Sequence, residues 1–481
     1  MRTGRQYLES LDDGRQVFLG GRRVPDVAGH PALRGCAQAI AGLYDQHHDP
    51  ALGDLLTMES PSGERASLAW LIPKSAADLE RRRRMIEHLV RQQGGTMGRL
   101  PDYVPLILLG LLAAKGALAR FSPRWAENVE RYFGACRDRD LFLTHSFADR
   151  QIDRSKPSAA LDHLHVAGRD GDHLVVRGTK TMATMSPLAN EYLVLTPPRA
   201  GLAPHQALFF AVPVNSPRLR FVCREPLSAG DPADHPLSAR FDEMDASAIF
   251  DDVRVPPERV FLAEDVEALQ TVWRLVNVFA YYHIVIRMAA KAELFAGVCS
   301  LIARQLGTAQ FERVKEKIAE IVRHVETMRA FLRSAESDAV TTRDGIAMPN
   351  PRATMVAHMH AVEQYPRLVL SVLSLSGQSL LTTPTTADLA GDEGPELERS
   401  LSGGPLAPAD RARLFRLARD LACGSFASRQ LLFELFNGRD LARNRLAFIE
   451  GYDLSPFERT ACRLAGIEQT PAPSAAKREG R

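Results

Sequence analysis

The order of polar and apolar positions divides the chain into three stretches. In the first, apolar residues recur at helical spacing: Ala32, Leu33, Cys36, Ala37, Ile40, Leu43 and Tyr44 share one helix face. Ser75 followed by Asp78 reads as a capping box opening a helix that runs through Val90. Pro101 suits a first helical position ahead of the apolar run from Val104. Ser122-Pro123 opens a further helix carrying Trp125, Val129, Tyr132 and Phe133. After Asp140 the rhythm changes to short alternating or β-branched runs: Leu141–His145, His173–Arg177, Tyr192–Thr196, Ala207–Val214, Leu219–Cys223 and Ala246–Val255. With turn residues such as Arg169-Asp170-Gly171-Asp172 between them, about six strands in about 120 residues predict a small β-barrel or sandwich. Pro197–His205, rich in Pro, Gly and Ala, is expected to be a mobile loop between two strands.

Helical spacing returns near Asp265 and predicts helices over Val266–Leu306, Thr308–Val340, Pro351–Leu375 and Pro408–Phe436, with breaks at Gly377 and Gly403-Gly404-Pro405. The expected division is a helical domain over 1–140, a strand domain over 141–264, a helical bundle over 265–468 and a flexible tail over 469–481. The fold class is α+β, mainly α.

Composition narrows the function. The 481 residues suffice for about three domains at roughly 150 residues each. Lys+Arg 60 against Asp+Glu 58 leaves a formal charge of +2, too little field to draw nucleic acid or an anionic membrane. The most apolar stretch, Val104–Ala119, is broken by Lys115 and is shorter than the roughly 20 residues of a membrane span, so a buried helix is expected. The N-terminus, MRTGRQYLESLDDGR, has the wrong composition for a secretory signal. Six scattered cysteines without a CxxC pair read as reduced thiols in the cytoplasm.

Phosphate-loop, dinucleotide, HExxH and GxSxG motifs are absent. Of His358, His360 and Glu363, only the last two share a helix face, so no metal site is expected. His163 and His165 read as surface residues, and Tyr281-Tyr282-His283 as core packing. Three polar segments stand apart. Arg99 and Tyr103 flank a helix start; Thr144-His145-Ser146 and Gln151-Ile152-Asp153-Arg154 follow the first strand; Ala183-Thr184-Met185-Ser186-Pro187 precedes another.

Taken together, these segments resemble the 4-hydroxyphenylacetate 3-monooxygenase family of two-component flavin-dependent phenol hydroxylases, in its oxygenase component. The likeness begins at Thr3–Leu11 and continues through Val27–Pro31, Gly98–Val104, Leu143–Arg154, Gly178–Glu191, Arg240–Asp245 and Phe250–Pro256. It ends at Asp440–Asn444 and Tyr452-Asp453. The resemblance implies an acyl-CoA-dehydrogenase-like architecture, with an N-terminal helical domain, a central β-barrel and a C-terminal helical bundle. It implies a homotetramer, a dimer of dimers, holding reduced FAD between the barrel and the helical domains. An NADH-dependent flavin reductase would supply that FAD through diffusion, with dioxygen as co-substrate.

In the family, reduced flavin and dioxygen form a flavin C(4a)-hydroperoxide that hydroxylates a phenol ortho to its oxygen, giving a catechol. By resemblance, Arg99, Tyr103 and His145 bind the phenolic oxygen. His145, Ser146, Phe147, Gln151, Ile152, Asp153, Arg154, Thr184, Asp440, Leu441, Ala442, Arg443 and Asn444 line the flavin. Thr196 and Pro197 fall at the substrate loop, and Pro197–His205 would close over the site. The chain departs from the family pattern at Arg150, Ser186 and Leu441. Alternatives are the same fold acting on a chlorophenol, a carrier-tethered aminoacyl group or an amine, or a non-catalytic flavin-binding scaffold. An iron–sulfur dehydratase of the same superfamily would need cysteines where Arg99 and Tyr103 stand.

Overall fold

The computed structural model describes residues 1–153, 155–156, 163–227 and 230–467. The tail expected over 469–481 lies outside the described residues. The first stretch is helical where its spacing said so. Pro31–Gln46 buries Leu33, Cys36, Ala37, Ile40, Leu43 and Tyr44, and Ala76–Arg91 starts at Ser75, whose side chain accepts the Asp78 N–H. The apolar run splits into a fully buried helix, Tyr103–Ala113, and a short turn of helix, Lys115–Leu118. The first of these starts two residues after Pro101.

Strands β1 (Gln16–Leu19) and β2 (Arg22–Arg23) form a hairpin inside the stretch read as helical. A second hairpin, β3 (Thr57–Glu59) with β4 (Arg65–Ser67), stands apart. The central strands are β5 (Leu143–Ser146), β6 (His165–Asp170), β7 (His173–Lys180), β8 (Glu191–Leu195), β9 (Leu208–Pro213), β10 (Leu219–Cys223), β11 (Ala246–Val255) and β12 (Val260–Ala263). They form a six-stranded sheet, β2-β1-β10-β11-β7-β6, and a four-stranded sheet, β12-β9-β8-β5.

Among the described residues these sheets do not close into the expected barrel, because no ladder joins their edge strands. They pack face to face instead. Tyr192 of β8 stacks on Phe250 of β11 with ring centroids 6.0 Å apart, and Phe210 of β9 meets the same ring edge-on. β1 pairs in parallel with β10, so the N-terminal hairpin extends the central sheet. The preceding helix braces the strand region too. The Tyr7 hydroxyl donates to the Leu188 carbonyl at 2.9 Å, and Arg15 donates to the Pro187 and Ala189 carbonyls.

The C-terminal region contains the long helices Val266–Gln305, Glu312–Ser337 and Pro351–Ser376. The expected single helix over Pro408–Phe436 is two, Pro408–Ala422 and Ser425–Phe436, parted at Cys423-Gly424, where Gly424 is fully extended. Leu441–Glu450 and Ser455–Ala465 follow. No helix among the described residues is long and apolar enough to cross a membrane.

Candidate active site

Arg99 lies in the turn before the Tyr103–Ala113 helix and is buried. Gly98 makes its position possible, since a Cβ there would stand 2.6 Å from the Phe433 ring. The Arg99 guanidinium lies over two rings, Tyr103 at 4.6 Å and Phe433 at 5.5 Å. Among the described residues its only hydrogen bond goes to the Gly98 carbonyl, and Nε meets no acceptor. Burial pulls its pKa down, opposed by Tyr103 and Glu243.

The surroundings explain how such a cation is tolerated. Arg99, Arg224, Arg287, Lys291 and Arg429 converge with the carboxylates Asp242, Glu243, Asp245 and Glu434. Arg429 bridges Glu243 and Asp245, at 3.1 and 2.8 Å. Arg287 makes a two-pronged contact with Glu434 at 2.5 and 2.7 Å. Glu243 also accepts the Arg99 main-chain N–H at 2.5 Å. Within this group, the Arg99 guanidinium is the cation with no carboxylate in contact.

His145 comes from β5, and its ring lies 5.5 Å from Tyr103 and 4.4 Å from Phe147. Its Nδ1 has no partner among the described residues. Burial and then the Arg99 charge push its pKa well below 6.5, so the imidazole is neutral at neutral pH. Tyr103 is buried, and its hydroxyl makes no hydrogen bond among the described residues. The three phenol-side residues named from sequence are therefore brought together, with unmet donors and acceptors.

The residues that the resemblance assigns to the flavin divide. Thr184 is buried and donates to Asp245 at 2.7 Å. Ser146 is buried, and Phe147 packs against Trp273 at 5.7 Å. Thr196 and Ser186 are buried with unpartnered hydroxyls; Pro197 is half-buried. Gln151, Ile152 and Asp153 are exposed, and Arg154 lies outside the described residues. Asp440 caps the Leu441–Glu450 helix by accepting the Arg443 N–H. Leu441 is half-buried, while Ala442 and Arg443 are exposed. Asn444 is buried and donates to the Gly438 carbonyl at 3.1 Å. That carbonyl also takes the Tyr281 hydroxyl at 2.7 Å. Gly438, at φ 89°, is the one residue type that fits there, because a Cβ would stand 2.5 Å from the Tyr281 ring.

The loop expected to close is tied down. Arg199 pairs with Asp149 at 2.5 Å, and Asp149 with the buried Lys180 at 2.7 Å. Sequence reasoning missed Glu243, Arg429, Glu434 and Phe433, although Glu243 sits in a phrase that carried the resemblance. His283, read as core packing, is fully buried; it packs against Tyr103, ring centroids 4.9 Å apart, and also bonds Asp102. His163, read as a surface residue, is buried. His358 faces the Asn437 carbonyl, whereas His360 faces His324 and Glu363 pairs with Arg445. No cluster of three or more His, Cys, Asp or Glu suited to a metal occurs among the described residues.

Arg99, His145, Ser186 and Thr196 each keep a buried polar atom without a partner among the described residues. Residues 3–262 match the family model for the 4-hydroxyphenylacetate 3-hydroxylase N-terminal region, and residues 270–466 match its C-terminal counterpart. The chain belongs to the 4-hydroxyphenylacetate 3-hydroxylase family. Within this family it is 37% identical to the 4-hydroxyphenylacetate 3-monooxygenase oxygenase component of Thermus thermophilus, over 95% of this chain and 96% of that protein. It is 32% identical to the FADH(2)-dependent monooxygenase TftD of Burkholderia cepacia, over 97% and 93%. A crystal structure of a 4-hydroxyphenylacetate 3-monooxygenase oxygenase component complexed with FAD and 4-hydroxyphenylacetate superposes with a TM-score of 0.93 at 35% identity, covering 97% of this chain and 98% of that one. The hydroxylase family thus accounts for almost the whole chain, and its members named here are flavin-dependent monooxygenases.

Proposed function

We propose that this chain is the oxygenase component of a two-component monooxygenase that uses reduced FAD and dioxygen to hydroxylate a phenol ortho to its oxygen. The observation that carries this reading is the buried Arg99 guanidinium with no carboxylate in contact, set over Tyr103 and beside a neutral His145. When bound, reduced FAD with dioxygen supplies the transferred oxygen atom and the electrons that reduce the other atom to water. Arg99 stabilises the negative charge that builds on the phenolic oxygen as the ring becomes more electron-rich. Tyr103 donates a second hydrogen bond. His145 presents its unpartnered Nδ1 side to the phenolic proton and, being neutral, adds no repulsion to Arg99.

Ser146, Phe147, Gln151, Ile152, Asp153, Arg154, Thr184 and Asp440–Asn444 are assigned to the flavin, and Thr196-Pro197 to the substrate loop. Pro197–His205 excludes water when held by the Arg199–Asp149–Lys180 chain. A separate NADH-dependent reductase delivers reduced FAD by diffusion. All six cysteines are free thiols, which fits a cytoplasmic setting.

A homotetramer would complete the flavin side. The Ser455–Ala465 helix has no buried residue, and Leu446, Ile449, Phe457, Leu464 and Ile467 expose apolar surface. Sedimentation of the full chain should give a tetramer, and ending the chain at Gly451 should give smaller species; a monomeric full chain sinks the assembly proposed.

The activity test supplies reduced FAD from a flavin reductase to the chain with a panel of para-substituted phenols. Formation of a catechol, with product matched to FADH2 consumed, supports the reading. Consumption of FADH2 to hydrogen peroxide with every phenol sinks it.

A further inference from the structure

Asp102 occupies the N-cap of the Tyr103–Ala113 helix, yet its side chain caps nothing. An N-cap carboxylate ordinarily accepts from the second or third helical N–H. Here the third helical residue is Pro105, which has no N–H, and Asp102 has helical rather than extended backbone angles. The carboxylate is thereby released from capping, and its Oδ2 lies 2.9 Å from His283 Nε2. Both side chains are fully shielded from solvent. In the tautomer that carries its proton on Nε2, the imidazole donates this hydrogen bond to the carboxylate oxygen.

His283 sits in the middle of the long Val266–Gln305 helix. Its ring meets Tyr103 edge-to-face, at 4.9 Å and 73°. Tyr103 is therefore held on three sides, by Arg99, by His145 and by a histidine that is itself pinned. Arg99 and His145 are assigned to the ligand and do not hydrogen-bond each other, whereas His283 and Asp102 hold one another at 2.9 Å, with His283 Nδ1 and Asp102 Oδ1 left without a partner among the described residues. The His283–Asp102 pair is the fixed wall.

We propose that Asp102 and His283 are positioning residues for the hydroxylation site. Asp102 fixes the His283 ring, and His283 fixes the ring plane of Tyr103 so that its hydroxyl stays aimed at the phenolic oxygen. Neither touches the substrate. The inference rests on the function proposed above, in which the phenol binds against Tyr103.

The test compares Asp102→Ala, Asp102→Asn and His283→Gln with the parent chain. An Asn at 102 keeps an acceptor for His283; Ala does not. Asp102→Ala should raise the KM for the phenol and lower the catechol formed per FADH2 by about 10- to 100-fold, the scale of a small misplacement in a reacting pair. FAD affinity should stay near that of the parent. Asp102→Asn should restore most of the coupling. Crystal structures of the variants read the positioning directly: the Tyr103 ring should turn in Asp102→Ala and keep its plane in Asp102→Asn. An unmoved Tyr103 ring in Asp102→Ala, or coupling as poor in Asp102→Asn as in Asp102→Ala, overturns the inference. If Asp102→Ala does not fold, ring orientation in His283→Gln decides, an unmoved ring again overturning it. If the parent hydroxylates no phenol, the functional reading fails, while the ring orientations still decide whether the pair positions Tyr103.

Discussion

Arg99, Tyr103 and His145 sit inside a single chain at 7% exposure or less, whereas Gln151, Ile152, Asp153, Ala442 and Arg443 lie on its surface. Both groups were named from one resemblance, yet they are built in opposite ways. The phenol side is enclosed by helices and strands of the same chain, and its polar atoms are left unmet at the cost of desolvation. That cost is sustained by the carboxylate network behind it, in which Arg429, Arg287 and Arg224 each contact carboxylates. The exposed residues assigned to the flavin are open to solvent and carry no such cost. The difference teaches that the residues assigned to the phenol are brought together inside one chain, while five of those assigned to the flavin are left at its surface.

Four experiments test that contrast, from the largest expected effect to the smallest. Glu434→Ala leaves Arg287 and Lys291 without their carboxylate in a fully buried site, and should cost about 3–5 kcal/mol of stability, read from denaturant unfolding. A loss typical of a surface site would show that the network does not support the pocket. Arg99→Ala should fold, still oxidise reduced FAD, and lower catechol formation by about 10²–10³-fold. Hydroxylation at the parent rate would remove Arg99 from its assigned role.

Acid titration gives a third measurement. Burial pushes the Glu434 carboxyl up, but the Arg287 and Lys291 charges overrule it and hold it at about 2, below its ordinary 4.5. A carboxyl with a lowered folded pKa contributes stability that is complete above 4.5 and is lost as pH falls toward about 2. Glu434→Gln should therefore have a flatter stability profile than the parent across that window. Parallel profiles would contradict the ion-pair assignment. The smallest effect is expected at Asp153→Ala, which should leave the melting temperature within about 1 °C of the parent. FAD affinity of the assembled protein should nevertheless fall, measured by equilibrium titration. An unchanged affinity would take Asp153 out of the flavin groove.

The sequence alone was enough for the order helical, strand, helical and for most principal elements. β10 and β11 have the bounds that alternation suggested: β10 alternates buried and exposed throughout, and β11 alternates up to Phe250, where a register shift over Asp251-Asp252 resets the phase. The break at Cys423-Gly424 was missed because residues on both sides of it are helix formers and one glycine is tolerated in many helices. The β1–β2 hairpin was missed because four residues are too few to show a period, and its strand character comes from pairing with β10, about two hundred residues away. Arg99, Tyr103 and His145 were legible through the likeness of several segments in one order, not through any spacing of their own.

Tertiary structure decided the rest. Whether the strands close a barrel depends on which edges meet, and local sequence does not encode that; here two sheets face each other instead. Asp102, His283, Glu243, Arg429 and Glu434 come from separate parts of the chain, and each reads alone as an ordinary polar residue. Their roles exist only once folding removes water from between them, because it is desolvation that turns a carboxylate near an arginine into a fixed support and leaves one guanidinium in want of an anion. Sequence supplied the amino acids of the site and the family that uses them; the packing of the Val266–Gln305 helix against the Tyr103–Ala113 helix and β5 made them one environment.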